Sequence, residues 1–219
     1  LFTKRKGRSS FYFLSEAGMA IMKTGESRSV KRGPPSSWDG TFRMISYEIP
    51  ESLRHERAAL AETLRKAGLG RAAAGLWVSA YDFEDRVQEH LARRVLAGRV
   101  DRYLSEYSGD AKEFASRIWK LEERRVALDA FIACYSARRD EFIHRRESAS
   151  ALNDGECFTE YFEELGAFVE AMASVPPVPP ELLPSDWPAG KANELFIEYR
   201  RLVHAGASDF FDSVYEPFD

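Results

Sequence analysis

"WDGTFRMISYEIP", residues 38–50, decides the fold, because it reads as a β-strand that opens a new domain. Residues 42–49 are mostly β-branched, aromatic or apolar, and Pro50, which has no backbone N–H to donate, ends them. The residues that follow repeat apolar side chains at steps of three and four as far as Gly68, which predicts an amphipathic helix. The stretch therefore starts a strand–helix unit.

The next residues extend this unit into a complete small domain. "GLGRAAAGLWVSAY", residues 68–81, predicts two short strands around a turn at Ala74–Gly75. A helix over 84–96 and a strand in "GRVDRYLSEYS", residues 98–108, follow. The resulting order β-α-β-β-α-β predicts a ferredoxin-like domain over residues 38–109.

The C-terminal half, residues 110–219, reads as a helical domain, because apolar side chains recur there at helical spacing. We expect one helix over 157–172 and a last helix over about 191–204, followed by an irregular tail. "VPPVPPELLPSDWPAG", residues 175–190, is not regular structure, because each proline lacks an amide donor and restricts the residue before it.

The N-terminal side, residues 1–37, carries the most basic stretch of the chain. Gly7 suits a tight turn between strands over 1–3 and 11–14. That hairpin would place four cations at its exposed tip: Lys4, Arg5, Lys6 and Arg8. A short helix over 16–23 and a Ser- and Pro-rich linker over 26–37 complete the region. The predicted class is therefore α+β.

Charge divides the chain unevenly. Residues 1–37 hold eight Lys/Arg against two Asp/Glu, whereas the other residues hold 23 Lys/Arg against 33 Asp/Glu, and the net charge is −4. Such an asymmetry points to a polyanionic partner at the front end, although a solvated basic terminus explains it equally well.

Several classes of chemistry find no support. The four histidines are scattered singly and the two cysteines, Cys134 and Cys157, form no C-x-x-C pair, so neither a zinc site nor a disulfide scaffold is expected. "GLGRAA", residues 68–73, follows a helix and opens a strand, which is the reverse of a dinucleotide-binding motif. We expect no cofactor and no metal, and the cysteine usage fits a reducing cytoplasm.

Four segments together resemble one family. "GRSSFYFLSEAG", "WDGTFRMISYEIPE", "GLGRAAAGLWVSAY" and "ELLPSDWPAGKANELF" resemble, in order and spacing, the PaaX-like transcriptional repressors of phenylacetic acid degradation. The resemblance implies a winged helix-turn-helix, a Cas2-like middle domain and a helical C-terminal domain. The chain starts at the wing of the first domain, so we expect the recognition helix to be absent, and with it most of the specificity for DNA sequence.

The resemblance also implies partners. A homodimer would bind a palindromic operator in duplex DNA through Lys4, Arg5, Lys6 and Arg8, and phenylacetyl-CoA or a related acyl-CoA would release it. A CoA thioester needs cations and an apolar slot. The candidate effector residues are Arg138, Arg139, His144, Arg145, Arg146 and Trp187. A solvated helix face for the cations and core packing for the tryptophan are the alternatives.

A second function class comes from the Cas2-like domain itself. Glu48 lies near the end of the first strand, where the Cas2 endoribonucleases place a metal-binding aspartate. Two such residues across a dimer would hold Mg²⁺ for phosphodiester cleavage. Because a shared fold alone implies no function, we expect a non-enzymatic repressor and keep the nuclease as the alternative.

Overall fold

The computed structural model describes residues 2–6, 9–13, 37–147 and 151–215. The chain divides into two units, Leu1–Pro34 and Pro35–Asp219. In the part of the chain that the structure describes, no helix combines the length and the apolar character that crossing a bilayer requires.

The first unit contains a β-hairpin. Strand β1, Phe2–Lys6, pairs antiparallel with strand β2, Ser9–Phe13, in a register that runs from Phe2 opposite Phe13 to Lys6 opposite Ser9. The sequence prediction ended the first strand too early, since Lys4, Arg5 and Lys6 belong to β1 and not to the loop. Backbone pairing continues past the apolar residues because it does not depend on the side chain. Gly7, Arg8 and the predicted helix over 16–23 lie outside the described residues.

The second unit is built on a four-stranded antiparallel sheet. Its strands are β3 (Phe42–Tyr47), β4 (Gly70–Ala73), β5 (Leu76–Ser79) and β6 (Val100–Ser105). They lie in the order β4-β5-β3-β6. The predicted turn between β4 and β5 contains Gly75 at a φ of 75°, a backbone conformation that favours glycine. The β-α-β-β-α-β order expected from the sequence is the order observed.

Two helices cover one face of this sheet. They are α1 (Arg54–Lys66) and α2 (Glu84–Leu91), and their core joins Ile45 on β3 to Leu60 and Leu64 on α1. The predicted helix over 84–96 is too long. Arg93 is extended, and a short 3₁₀ turn at Arg94–Leu96 then places Leu96 in the core, 2% exposed. Leu96 thus enters the core from this 3₁₀ turn and not from a continuation of α2.

Helix α3, Ala111–Trp119, covers the other face of the sheet. Asp110 caps it by accepting hydrogen bonds from the backbone N–H groups of Lys112 and Glu113. Its residues Phe114 and Ile118 pack against Phe42 on β3, together with a 3₁₀ turn at Pro180–Leu182 from the proline-rich segment. The C-terminal half is thus joined to the sheet by a shared core.

Three long helices complete the unit. They are α4 (Leu121–Glu147), α5 (Asp154–Ala173) and α6 (Ala189–Val214). Lys120, with a φ of 53°, separates α3 from α4. The predicted end of the last helix near residue 204 is wrong, because the apolar stripe continues: the Phe210 ring lies 5.1 Å from that of Phe158 on α5.

Candidate functional site

Two oppositely charged side chains are buried among apolar residues where α5 meets α6. Glu164 on α5 is 0% exposed and Arg200 on α6 is 6% exposed. Each occupies a position in the apolar stripe of its helix, Glu164 between Tyr161 and Phe168, and Arg200 beside Tyr199. The helix periodicity therefore forces both groups into the interior.

The two groups face each other without a hydrogen bond. Arg200 Nη1 lies 3.8 Å from Glu164 Oε2, and the guanidinium stacks over the Tyr161 ring at 3.8 Å from its centroid and over the Phe196 ring at 4.9 Å. Among the described residues, no hydrogen-bond partner reaches either Glu164 oxygen, the Tyr161 hydroxyl or any guanidinium nitrogen of Arg200. Burying charged groups in this state costs free energy, because water no longer solvates them.

Burial also changes the protonation of Glu164. Loss of solvation raises the pKa of the Glu164 carboxyl to about 8; the charge of Arg200 opposes this rise and the nearby Glu160 carboxylate adds to it. Desolvation wins because the guanidinium stands beyond hydrogen-bond distance from the carboxyl group. The carboxyl is therefore mostly protonated at neutral pH and loses its proton as the pH rises through about 8.

A hydrogen-bonded layer lies beside the pair. Glu160 on α5 accepts a 2.7 Å hydrogen bond from the Tyr199 hydroxyl and a 3.0 Å bond from Arg138 Nη1 on α4. Arg138 also binds Glu163 at 2.8 Å. Desolvation, followed by the bond to Glu160, raises the pKa of Tyr199, and the bond to Glu163 raises that of Arg138. This layer ties all three long helices together.

We name these residues the bundle cluster: Arg138, Glu160, Tyr161, Glu163, Glu164, Tyr199 and Arg200. It offers both donors and acceptors, with Tyr161, Glu164, Tyr199 and Arg200 buried and Arg138 and Glu163 reaching the surface, so a change in the protonation or partners of the buried groups alters the contacts between α5 and α6. Sequence reasoning missed all of it except Arg138. The sequence did contain a signal for the two buried charges, because each stands where the helical pattern calls for an apolar residue. Glu164 lies among the apolar positions of residues 157–171, and Arg200 lies among those of residues 195–203.

The structure does not assemble the predicted effector residues into one pocket. Arg138 and Arg139 pair with carboxylates on the neighbouring helices, Arg138 with Glu160 and Arg139 with Glu198 at 3.1 Å. Arg139 also pairs with Asp140, the next residue on α4. Arg145 lies 3.8 Å from Glu156, and His144 and Arg146 are exposed. These cations therefore act partly as ties between helices, a role that the sequence pattern did not reveal.

Trp187 lies far from those cations. It packs against the core that joins the sheet to α3, as does Trp38. The preceding Asp186 binds Arg125 at 2.8 Å near the start of α4. Arg125 precedes Arg138 by 13 residues on α4. At about 1.5 Å of rise per residue, these two residues are therefore roughly 20 Å apart along the helix. The fold therefore does not place Trp187 and the whole basic run of α4 in a single ligand pocket.

The remaining predicted residues fall in two places. Lys4, Arg5 and Lys6 lie on β1, and Arg8 lies outside the described residues. Glu48 directly follows β3 with an exposed side chain, and its backbone N–H donates to the Arg99 carbonyl. Within residues 37–147 and 151–215, no three His, Cys, Asp or Glu side chains gather in a way that would hold a metal ion.

Known proteins resemble the chain in sequence and in fold. The transcriptional repressor PaaX of Escherichia coli K12 is 26% identical over an alignment of 210 residues, and the match covers 92% of this chain and 64% of the repressor. The chain thus spans just under two thirds of that relative's length. The solved structure of the uncharacterized protein Rv0674 from Mycobacterium tuberculosis matches with a TM-score of 0.51 and 20% identity, over 79% of this chain and 64% of that one. The second match supports the fold alone.

Family models match nearly the whole second unit. The PaaX protein central Cas2-like domain matches residues 35–115, which hold the sheet with α1 and α2. The PaaX-like protein C-terminal domain matches residues 119–213, which hold the three long helices and the bundle cluster. The two models follow each other in the order predicted from the sequence motifs. With both domains matched, the chain belongs to the PaaX-like repressor family.

Proposed function

We propose that this protein is a DNA-binding transcriptional repressor that acts without catalysis. The observation that carries the proposal is its membership of the PaaX-like family across two consecutive domains, together with a relative that is itself named a transcriptional repressor. The Cas2-like nuclease alternative has no comparable support, since neither the relative nor the C-terminal domain match points to cleavage. A repressor works where its operator is, so we place it in the cytoplasm.

The DNA contact in this proposal is the β1–β2 hairpin. It serves as the wing of a winged helix-turn-helix, and Lys4, Arg5, Lys6 and Arg8 neutralise phosphates along the duplex. Three of these four cations are consecutive on β1, and the first 37 residues carry eight Lys/Arg against two Asp/Glu. Phosphate contacts of this kind release counterions, which makes the affinity depend steeply on salt.

Salt dependence tests this contact directly. We would titrate the 219-residue chain into a labelled DNA duplex at salt concentrations between about 50 mM and about 200 mM. The logarithm of the DNA-binding constant is then plotted against the logarithm of the salt concentration. Replacing Lys4, Arg5, Lys6 and Arg8 by Ala should make this negative slope less steep by up to about 3.6, or about 0.9 per lost phosphate contact. A slope that does not change would refute the assignment of these residues.

A matched control removes four exposed cations from the sheet domain instead. Arg54, Arg94, Arg99 and Lys112 are all exposed in the second unit. Their replacement by Ala changes the net charge by the same amount but leaves the hairpin intact, so the salt slope should stay within about 1 of the original. An equal fall in both variants would mean that overall charge, and not the hairpin, drives binding.

The effector in this proposal is an acyl-CoA, and phenylacetyl-CoA is the first compound to test. The operon that the repressor controls would encode the catabolism of phenylacetate or a related aromatic acid. The candidate residues on α4 remain Arg138, Arg139, His144, Arg145 and Arg146, with Trp187 as a separate candidate. Because Arg138 and Arg139 are held in ion pairs, phosphate binding there must compete with Glu163 and Glu198. An exposed cation such as Arg146 meets less competition.

A thermal-shift series tests the effector. A thioester present at about a hundred times its dissociation constant adds about 2.7 kcal/mol to stability. For a chain of this size that corresponds to a melting temperature higher by roughly 5–10 °C. Arg146→Ala should reduce the shift if the exposed end of α4 binds the phosphates. Free CoA separates recognition of the nucleotide from recognition of the acyl group, and no shift with any thioester would refute the effector.

We also propose that the repressor is a homodimer. A two-fold symmetric protein matches the two half-sites of a palindromic operator. Sedimentation of the chain in the absence of DNA measures this property separately from DNA binding.

A further inference from the structure

Strand β6 forms an open edge of the sheet. It lies last in the order β4-β5-β3-β6, and among the described residues no strand pairs with its outer side. Its four middle residues, 101–104, are exposed. Leu104 is 75% exposed and Tyr103 is 50% exposed, although both are large and apolar. An edge strand with exposed apolar side chains is a template for pairing with another chain.

The hydrogen-bonding pattern shows which residues face outward. Glu48 N–H donates to the Arg99 carbonyl, so Arg99 lies in a hydrogen-bonded pair with β3. Such pairs alternate along an antiparallel ladder, so residues 101, 103 and 105 bond to β3, and the backbone groups of Val100, Arg102 and Leu104 point away from it. The outer edge can therefore form its own ladder with a second strand.

A groove lies next to this edge. It has a volume of about 330 Å³ and lies between α2, the chain that follows it, and β6. Its lining is mixed: Leu91 and Val100 are apolar, whereas Gln88 and Arg102 are polar, and Arg102 lies along the strand. Side chains alternate between the faces of a strand, so Leu104 projects on the same face as Val100 and Arg102. Each chain thus carries an exposed leucine beside a groove whose exposed lining is more polar than apolar.

We propose that β6 pairs with β6 of a second copy, antiparallel and centred on Tyr103, so that the two sheets become one. The proposal deepens the homodimer of the proposed function by naming its surface. In this arrangement Tyr103 faces the partner's Tyr103, and the partner's Leu104 lies opposite Arg102 at the edge of the groove. The two-fold axis runs normal to the sheet, so equivalent side chains stay on the same face.

Charge selects this register among the alternatives. Centring the pair on Asp101 places two carboxylates opposite each other, and centring it on Arg102 does the same with two guanidinium groups. Like charges directly opposite destabilise a sheet. Centring it on Leu104 pairs only residues 103–105 of the strand, whereas centring it on Tyr103 pairs residues 101–105. An aromatic pair at the centre adds to the stability.

Oxidative cross-linking tests the register. In a Cys134→Ser background, which removes the exposed cysteine, single cysteines would replace residues 101, 102, 103 and 104 in turn. A directly opposite pair that is not hydrogen-bonded has Cα atoms about 4.5 Å apart, within reach of a disulfide. Two copies of residue 102 or 104 would stand roughly 8 Å apart or more, beyond that reach.

Tyr103→Cys should therefore form a disulfide-linked dimer at least tenfold faster than the other three variants. Fastest cross-linking at position 101, 102 or 104 would overturn the register. Equally slow cross-linking at all four positions would overturn the interface itself.

Sedimentation velocity tests the interface independently. Leu104→Lys removes the exposed leucine and places a cation opposite Arg102, so the dimer dissociation constant should rise at least tenfold. The matched control is Val126→Lys, which changes a side chain that is 66% exposed on α4, and it should leave the constant unchanged. A wild-type chain that stays monomeric at high micromolar concentration, or equal effects of the two variants, would refute the proposal. Neither measurement involves DNA, so a failed operator test remains a separate result.

Discussion

Replacing Glu164 by Gln tests whether the buried carboxyl takes up a proton when the protein folds. Its pKa is about 8 in the folded protein, against 4.5 for an ordinary glutamate. Between these values the folded state holds one more proton than the unfolded state, so stability is fully present at low pH and is lost as the pH rises through about 8. Glutamine has nearly the shape of the protonated acid and does not titrate.

The size of the effect follows from the width of this window. Each pH unit inside it changes the free energy of unfolding by about 1.4 kcal/mol for one proton. Between about pH 5.5 and about pH 7.5, the wild-type chain should therefore lose about 3 kcal/mol relative to Glu164→Gln. Urea denaturation at a series of pH values, followed by circular dichroism, measures both curves. Subtracting one from the other removes the titration of all other groups.

A control on the same helix isolates the burial. Glu170 on α5 is exposed, so Glu170→Gln should follow the wild-type pH dependence closely. Parallel curves for wild type and Glu164→Gln would show that the carboxyl stays charged in the folded protein. In that case the variant should also be less stable at every pH by about 3–5 kcal/mol, because Arg200 would be left buried without its counter-charge.

Three further substitutions test the packing and the caps. Gly70→Ala should destabilise the second unit by about 1–3 kcal/mol in urea denaturation, because the new Cβ would clash with Ile118 Cγ2; a variant of unchanged stability would show that α3 is free to move away from β4. Gly166→Ala should instead stabilise it by roughly 0.5–1 kcal/mol, since this glycine lies within α5 and a Cβ there meets nothing within 4 Å; a loss would contradict the helical assignment. Asn153→Ala should cost about 1 kcal/mol, because Asn153 and Glu156 cap α5 reciprocally, whereas Asn153→Asp should retain most of the stability in the same assay.

The sheet domain was the most predictable part of the fold. Three of its four strands, β3, β5 and β6, carry β-branched and aromatic residues, and Gly75 lies at a turn, so local preference and tertiary packing mostly agree. Leu96 is the exception: the helical pattern runs on to it, but the core takes it from a 3₁₀ turn instead. Helix ends depend on which residue the rest of the domain buries, and a linear pattern does not contain that information.

The candidate site was harder to predict, because its residues break the rules on which sequence patterns depend. Glu164 lies in the apolar stripe of α5, but its position alone does not show that the neighbouring helix buries the carboxyl group. Arg138 and Arg139 look like a solvated basic run, yet their partners lie on α5 and α6, separated from them by 22 to 59 residues in sequence. Such pairings depend on how the three helices are arranged, which a single sequence does not specify.

Lys120 joins α3 to α4 inside one shared core, without a flexible linker. Trp119, on one side of it, is buried against the sheet, and Leu121, on the other side, is buried as well. The left-handed backbone of Lys120 is the only change of direction between α3 and α4 in this described stretch. Because both neighbours of Lys120 pack in the core that also contains Phe42 of β3, a tilt of α4 at its first residues has to displace side chains that pack against the sheet.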